Sequence, residues 1–319
     1  MAYIDVFNGD ADGLCALHQL RLAKPCESQL ITGVKRDIAL LKQVHADAGD
    51  QVTVLDISLD KNRVALNALL EKGIQVRYFD HHFAGDIPTS TALDAHIDMD
   101  ANVCTSLLVN DFLDGAYLPW AVVAAFGDNL FDAARQAAVP LDLDDAALSA
   151  LAYLGTLLNY NGYGSSLDDL YIPPADLYRL MSVYADPFDF IASCDAYAVL
   201  DQGYDTDMQQ VRAAKSYAST PSTRVLMLAN EAWARRSSGV YGNELARDYP
   251  ARAHALITAV EGDVYRVSVR APLNNKTGAD ELCMQFPTGG GRRAAAGINA
   301  LPKSMLNDFI TAFQLRYAS

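Results

Sequence analysis

The chain has 319 residues, enough for two domains that each bury a core, with 51% apolar and 20% charged residues. A net charge of −14 argues against long duplex nucleic acid as a partner, because such binding rests on neutralising phosphates. No apolar run approaches the roughly 18 residues of a membrane helix, and Met1-Ala2-Tyr3-Ile4-Asp5 lacks the features of a signal peptide, so a cytoplasmic protein with no membrane partner is expected. Cys15, Cys26, Cys104, Cys194 and Cys283 are scattered and never spaced C-x-x-C. They read as reduced core residues, not as a zinc site or a disulfide frame.

In chain order, strand-like runs at Tyr3–Phe7, Gln29–Val34, Gln51–Leu55 and Ile74–Phe79 alternate with helical patterns at Leu14–Ala23, Asp37–Ala46 and Lys61–Lys72. This is the βαβ rhythm of a parallel sheet with helices on both faces. Helices are then expected at Ala101–Leu113, Trp120–Phe126, Leu130–Ala137, Asp144–Leu158 and Ala175–Tyr184, and from Phe188 towards Tyr217. Asn159–Ser166 reads as a loop, whose tyrosines could stack on a base or simply pack. Ser219–Ser222 reads as a joint. Beyond it, Val225–Leu228, Ala253–Val260 and Val264–Val269 have strand character, the last two joined by the turn Glu261-Gly262-Asp263. A Gly-rich loop, Thr288–Gly291, leads into helix-prone Arg292–Gly297, and Lys303–Arg316 closes the chain as an amphipathic helix. His18, His45, His96 and His254 fall outside any ligand spacing and read as structural.

Three of the strand-like runs end in carboxylates or imidazoles. Asn8-Gly9-Asp10-Ala11-Asp12-Gly13 follows the first, Asp56 the third and Asp80-His81-His82 the fourth. In an open parallel sheet, ligands gather outside the carboxyl ends of the strands. Each motif alone could be a turn or a surface pair, but together they call for a cation, since packed carboxylates repel one another. Without thiolates, the set suits Mn²⁺ or Mg²⁺ better than zinc. Asp128, after the apolar run Ala121–Phe126, adds a further terminal carboxylate, and Asp80 is placed to orient a neighbouring ring.

These motifs, with Leu55-Asp56 and Gly127-Asp128, resemble the four motifs of the DHH phosphoesterase family. Val267-Ser268-Val269-Arg270 and Gly289-Gly290-Gly291-Arg292-Arg293-Ala294-Ala295-Ala296-Gly297 resemble that family's DHHA1 domain. The resemblance implies an α/β fold with a parallel-sheet DHH metal-binding catalytic domain over residues 1–190, a helical linker over 191–222 and a smaller α/β DHHA1 substrate-binding domain over 223–319. It implies two divalent cations, Mn²⁺ expected ahead of Mg²⁺. Asp10 and Asp56 hold one ion, and Asp12, Asp56, His81 and Asp128 the other, with Asp56 bridging as the key catalytic ligand and His82 near the scissile phosphate. Asn8 stands where exonuclease relatives carry Asp, which weakens the first ion's site and leaves Asn8 facing substrate. Arg292 replaces a family His.

The C-terminal part carries the positive charge: residues 224–319 hold 12 Lys and Arg against 8 Asp and Glu, and the remaining 223 residues hold 13 against 31. Gly290 and Gly291 could offer backbone N–H groups to a phosphate, and Arg270 and Arg292 could pair with it. The expected activity is hydrolysis of a small nucleotide phosphoester, namely a short oligoribonucleotide, a linear dinucleotide or a 3′-phosphonucleotide. Closure of the two domains about the joint and a homodimeric state are compatible with this reading. Alternatives are a hydrolase of a signalling nucleotide, such as a guanine alarmone or a cyclic dinucleotide, and a non-catalytic nucleotide sensor. A processive exonuclease is disfavoured by the acidic surface, and an inorganic pyrophosphatase by the type of C-terminal domain.

Overall fold

A computed structural model of the chain describes residues Met1–Ala318. It divides into two compact units, Met1–Gly203 and the remainder from Tyr204. The first holds a five-stranded, wholly parallel sheet of β1 (Tyr3–Phe7), β2 (Gln29–Thr32), β3 (Gln51–Leu55), β4 (Gln75–Asp80) and β5 (Leu93–Ile97), in the order β2-β1-β3-β4-β5. The strand order reverses between β1 and β3, which makes their carboxyl ends the switch point where an open α/β sheet binds its ligand.

Alternation along the strands divides the two faces. Ile4, Val6, Val52, Val54, Val76 and Tyr78 pack with Leu66 and Leu69 of α2 (Leu59–Glu71). On the other face, Arg21 of α1 (Ala11–Ala23) forks onto buried Asp5 and reaches Thr53. After β5 the chain is helical: α3 (Thr105–Phe112), α4 (Leu118–Gly127), α5 (Phe131–Ala138), α6 (Asp145–Asn161), α7 (Pro174–Met181), α8 (Pro187–Ser193) and α9 (Asp195–Arg212). The division between the units falls within α9.

One expected helix does not form. Residues 37–46 contain a single 3₁₀ turn, Leu40–Gln43. Asn62 of α2 explains it: its Nδ2 donates to Ile38 O (2.7 Å) and its Oδ1 accepts from Leu41 N (3.1 Å), meeting backbone needs that a helix would meet itself. Strand β5 was not foreseen, because Leu-Asp-Ala-His-Ile carries two polar residues. It is an edge strand, where His96 stacks on Phe79 with ring centroids 4.5 Å apart.

The second unit has a six-stranded mixed sheet, ordered β10-β11-β9-β8-β7-β6. Its strands are β6 (Ser216–Ser219), β7 (Thr223–Leu228), β8 (Ala253–Ala259), β9 (Val264–Arg270), β10 (Gly289–Arg292) and β11 (Ala295–Pro302). Val225, Ile257, Val267 and Val269 pack on one face with Phe309 and Phe313 of α12 (Leu306–Arg316), alongside α11 (Ala279–Cys283). Leu226, Leu228 and Leu256 pack on the other with Met208 and Val211 of α9 and Tyr241 and Leu245 of α10 (Ala232–Asp248). Two expectations are corrected here. Arg292–Gly297 is not helical, because Gly289–Arg292 pairs antiparallel with Ala295–Ile298 in a hairpin. Thr220–Ser222 is the turn of the β6–β7 hairpin, so the presumed joint lies inside the second sheet. Among the described residues, no helix is long and apolar enough to cross a membrane.

His18 and His254 are structural, as expected, and both are buried. His18 Nε2 lies 2.8 Å from Tyr184 O, and its ring stands edge-on to Trp120. Burial lowers its pKa to about 4, and His254 is lowered to about 4 by burial and then by Arg252 and Arg224. A folded-state value below the unfolded one means the unfolded chain takes up the proton first. The contribution of these two histidines to stability is therefore complete above pH ~6.5 and falls as the pH drops towards 4. For His18 alone the loss between pH 7 and pH 5 is about 2 kcal/mol. Urea unfolding followed by the fluorescence of Trp120 should show this loss, and His18→Gln should remove it; an unchanged pH dependence in the variant counts against the assignment.

Candidate metal centre

The segment between β1 and α1 is compressed. A Cβ on Gly13 would stand 2.2 Å from Asn8 O, so only glycine lets the helix start so close behind the strand. Asp10 is the N-cap of α1, its Oδ1 accepting from Asp12 N (3.1 Å) and Gly13 N (3.2 Å). Asp12, in the first turn, is fully buried, and its two oxygens accept from Thr105 N and Ser106 N, each at 2.7 Å, at the start of α3. A carboxylate at a helix N-terminus is stabilised by the amides and by the helix dipole. Asp56 ends β3 with φ +58°, a left-handed conformation that Asp tolerates better than most residues, while its N–H still donates to Phe79 O. Asp128 caps the end of α4.

These elements bring Asp12, Asp56, His81 and Asp128 together, while Asp10 lies outside the two converging groups of the described residues. His81 Nε2 lies 3.4 Å from Asp56 Oδ1, 3.6 Å from Asp128 Oδ2 and 4.0 Å from Asp12 Oδ2. Asp12, His81 and Asp128 offer atoms all within 4.8 Å of one another, and so do Asp56, His81 and His82. His82 Nδ1 is held by Asp80 Oδ1 at 2.7 Å, and Asp80 Oδ2 accepts from Leu59 N. Asp80 is thus placed to fix the ring of His82 and leave Nε2 for a substrate.

Electrostatics mark the centre as short of positive charge. Asp56 is held well above the usual carboxylate range by burial, then by repulsion from Asp10, Asp12, Asp128 and Asp80. Asp128 is raised to about 6 by burial and by Asp10 and Asp12. Burial works against charge on His82, but the hydrogen bond to Asp80 and the nearby carboxylates outweigh it and raise its pKa. Asn8 is buried, with Nδ2 donating to Lys35 O at 3.2 Å and Oδ1 without a hydrogen-bond partner. An orphaned acceptor beside crowded carboxylates suits a cation.

Two features were missed in the sequence. The Thr105-Ser106 amides that hold Asp12 come from a helix start far along the chain. Lys35 stands three residues after β2, and its Nζ lies 2.5 Å from Asp10 Oδ2, 3.2 Å from Asp128 Oδ1 and 2.7 Å from Asn159 Oδ1. Burial opposes its charge, but Asp10 and Asp128 raise its pKa well above the ordinary lysine value.

Asn159–Gly164 is not wholly a loop. Asn159, Tyr160 and Asn161 complete α6, Asn159 is engaged by Lys35 and Tyr163, and Asn161 exchanges two hydrogen bonds with the backbone of Ile172.

No protein-family model and no curated protein matches the chain. Solved structures do. An exonuclease RecJ bound to manganese aligns over 99% of this chain and 90% of its own, with 17% identity and a TM-score of 0.64. RecJ from Thermus thermophilus in complex with Mn²⁺ aligns over 99% of this chain at 16% identity and a TM-score of 0.64. This chain spans only 52% of that one. The pGpG-specific phosphodiesterase PggH from Vibrio cholerae aligns over 100% of this chain and 99% of its own, at 14% identity and a TM-score of 0.60. The chain has the DHH/DHHA1 fold. The expected fold class, a parallel-sheet DHH domain with helices on both faces and a second, smaller α/β DHHA1 domain, is borne out.

Within the DHH domain, the carboxylate and imidazole donors are oxygen and nitrogen only, which fits Mn²⁺ or Mg²⁺. Within the DHHA1 domain, Gly290, Gly291 and Arg292 lie on the edge strand β10, and Arg292 is exposed. The Arg270 guanidinium is bonded inside this domain, with Nε donating to Asn243 Oδ1 (2.7 Å), Nη1 to Ser268 Oγ (3.0 Å) and Nη2 to Gly239 O (3.2 Å). Those bonds give it a part in holding β9 against α10.

Proposed function

We propose that the protein is a divalent-cation-dependent phosphodiesterase that hydrolyses a small nucleotide phosphoester, with a linear dinucleotide as the favoured substrate. The observation that carries this reading is the meeting of Asp12, Asp56, His81 and Asp128 at the switch point of the sheet, with His82 beside them. Likeness to manganese-bound RecJ supports the metal, and likeness to PggH over nearly the whole of both chains supports a small substrate.

Asp12, Asp56, His81 and Asp128 would hold a divalent ion, Mn²⁺ ahead of Mg²⁺. When bound, it supplies positive charge to the phosphoryl oxygens and lowers the pKa of the attacking water. The backbone amides of Thr105 and Ser106 hold the Asp12 carboxylate in place. His82, half-exposed and oriented by Asp80, is the residue placed to give a proton to the departing oxygen. The two-ion arrangement of the resemblance would add Asp10 as a ligand of the further ion and Asn8 as a weak one.

The test is a screen of Mn²⁺-treated protein against pGpG-type linear dinucleotides, RNAs of two to five nucleotides, 3′-phosphonucleotides, cyclic dinucleotides and guanine alarmones. Chelator-sensitive cleavage of the linear dinucleotide ahead of the others is the expected result. Binding without cleavage of every nucleotide would make the protein a sensor and end the hydrolase reading.

Arg292 is proposed as the contact for a phosphate remote from the cleaved bond. Its fork can pair bidentately with such a group, and the open edge of β10 leaves it free to do so. Arg292→Ala should raise KM for a dinucleotide with a terminal phosphate by a factor on the order of 10–100, about 1.5–3 kcal/mol. The matched dinucleotide without that phosphate should be nearly unaffected. Equal losses on both would assign Arg292 another role.

A further inference from the structure

Lys35 occupies the side of the metal centre where a further ion is implied by the resemblance. Its ammonium has three donors, and three oxygens receive them: Asp10 Oδ2 at 2.5 Å, Asn159 Oδ1 at 2.7 Å and Asp128 Oδ1 at 3.2 Å. The backbone of Lys35 is fixed on both sides, its N–H donating to Gly162 O (2.8 Å) and its carbonyl accepting from Asn8 Nδ2 (3.2 Å). The side chain is 29% exposed, so most of the stem is enclosed.

Asp10, the ligand needed on that side, is fully engaged. Its Oδ1 accepts from two backbone amides and its Oδ2 meets Lys35. Among the described residues, Asp10 belongs to neither group of side chains whose atoms converge on a common point, whereas Asp12, Asp56, His81, His82 and Asp128 do. Asn8, where a carboxylate would add a charge for a further ion, is neutral. A dication beside the ammonium would be repelled by it and would have to compete with it for Asp10 and Asp128.

We propose that Lys35 takes the place of one of the two cations of this type of centre, so that the protein works with a single divalent ion held by Asp12, Asp56, His81 and Asp128. This rests on the phosphoesterase reading above and changes its metal count. Lys35 is a positioning residue here: it neutralises Asp10, ties it to Asp128 and to α6 through Asn159, and keeps a fixed positive charge at the centre whatever the metal supply.

The experiment counts metal directly, on the full chain. Protein equilibrated with Mn²⁺ and freed of excess is analysed for bound manganese and by low-temperature electron paramagnetic resonance. One Mn²⁺ per chain with an uncoupled six-line signal is expected. Two ions with an exchange-coupled signal overturn the proposal, as does no bound ion at millimolar Mn²⁺. Lys35→Met keeps the stem and removes the charge, so it should gain a second Mn²⁺ and the coupled signal, while Lys35→Arg should remain at one. A Lys35→Met protein that folds and still binds one ion also overturns it. If Lys35→Met does not fold, Lys35→Gln carries the same expectation, and the wild-type count decides independently. Two ions together with nucleotide cleavage would sink only this inference. One ion, Lys35-dependent, with no cleavage of any nucleotide would sink only the proposed function.

Discussion

Asp56→Asn is expected to abolish metal binding and hydrolysis while making the metal-free protein more stable. Asp56 is buried, sits 3.4 Å from His81, and is raised well above the usual carboxylate range by burial and by Asp10, Asp12, Asp128 and Asp80. Its carboxylate is therefore a source of strain without a cation and a main ligand with one. Asn is the informative substitution, because it also tolerates the left-handed backbone found there (φ +58°), so the fold is retained. The expected fall in kcat/KM is a factor on the order of 10³–10⁵, about 4–7 kcal/mol. In chelator the variant should melt higher, by about 2–4 °C for each kcal/mol of repulsion relieved. With Mn²⁺ added, the wild type should gain thermal stability and the variant should not. A variant that binds Mn²⁺ normally and turns over at the wild-type rate would remove Asp56 from the centre.

The opposed responses of stability follow from how the centre is built. The carboxylates of Asp10, Asp12, Asp56 and Asp128 meet at one strand-end cluster, and the fold answers them with the α3 amides under Asp12, the first-turn amides of α1 at Asp10, the Thr105 hydroxyl at Asp56 and the ammonium of Lys35. A bound cation would supply the rest of the positive charge. Stability is thus given up at the site and recovered on binding.

The strand-end motifs were legible because each follows an apolar run whose period and length specify a strand, and a parallel sheet gathers strand ends at one edge. Asp10, Asp12, Asp56, Asp80, His81 and His82 could all be placed that way. Lys35 escaped because its meaning is relational: a lysine after β2 becomes part of the centre only when Asp10 and Asp128 arrive from other elements. The amides of Thr105 and Ser106 carry no side-chain signature at all. The errors had the opposite origin, local propensity overruled by distant partners. Residues 37–46 look helical until Asn62 satisfies their backbone. The Ala-rich stretch after Arg292 looks helical until β9 and the Gly289–Arg292 strand pair with it on either side.

His82→Gln is expected to lower kcat by a factor on the order of 10²–10⁴ with KM little changed, the loss typical of removing a general acid. The side chain is 43% exposed, so the substitution touches little of the core and the fold should be unaffected. Asp80→Asn tests the same proton from behind. Burial would lower the pKa of His82, and the hydrogen bond from Nδ1 to Asp80 is what first reverses this and raises it. A general acid works while protonated, so activity is lost as pH rises through its pKa, and a raised pKa extends activity to higher pH. Removing the Asp80 charge must then move the basic limb of the kcat–pH profile to lower pH, with a smaller fall in kcat at its optimum than in His82→Gln. His82→Gln should lose the limb itself. If Asp80→Asn lowers kcat equally at every pH and leaves the limb in place, Asp80 supports the fold of the β4 end and His82 does not deliver the proton.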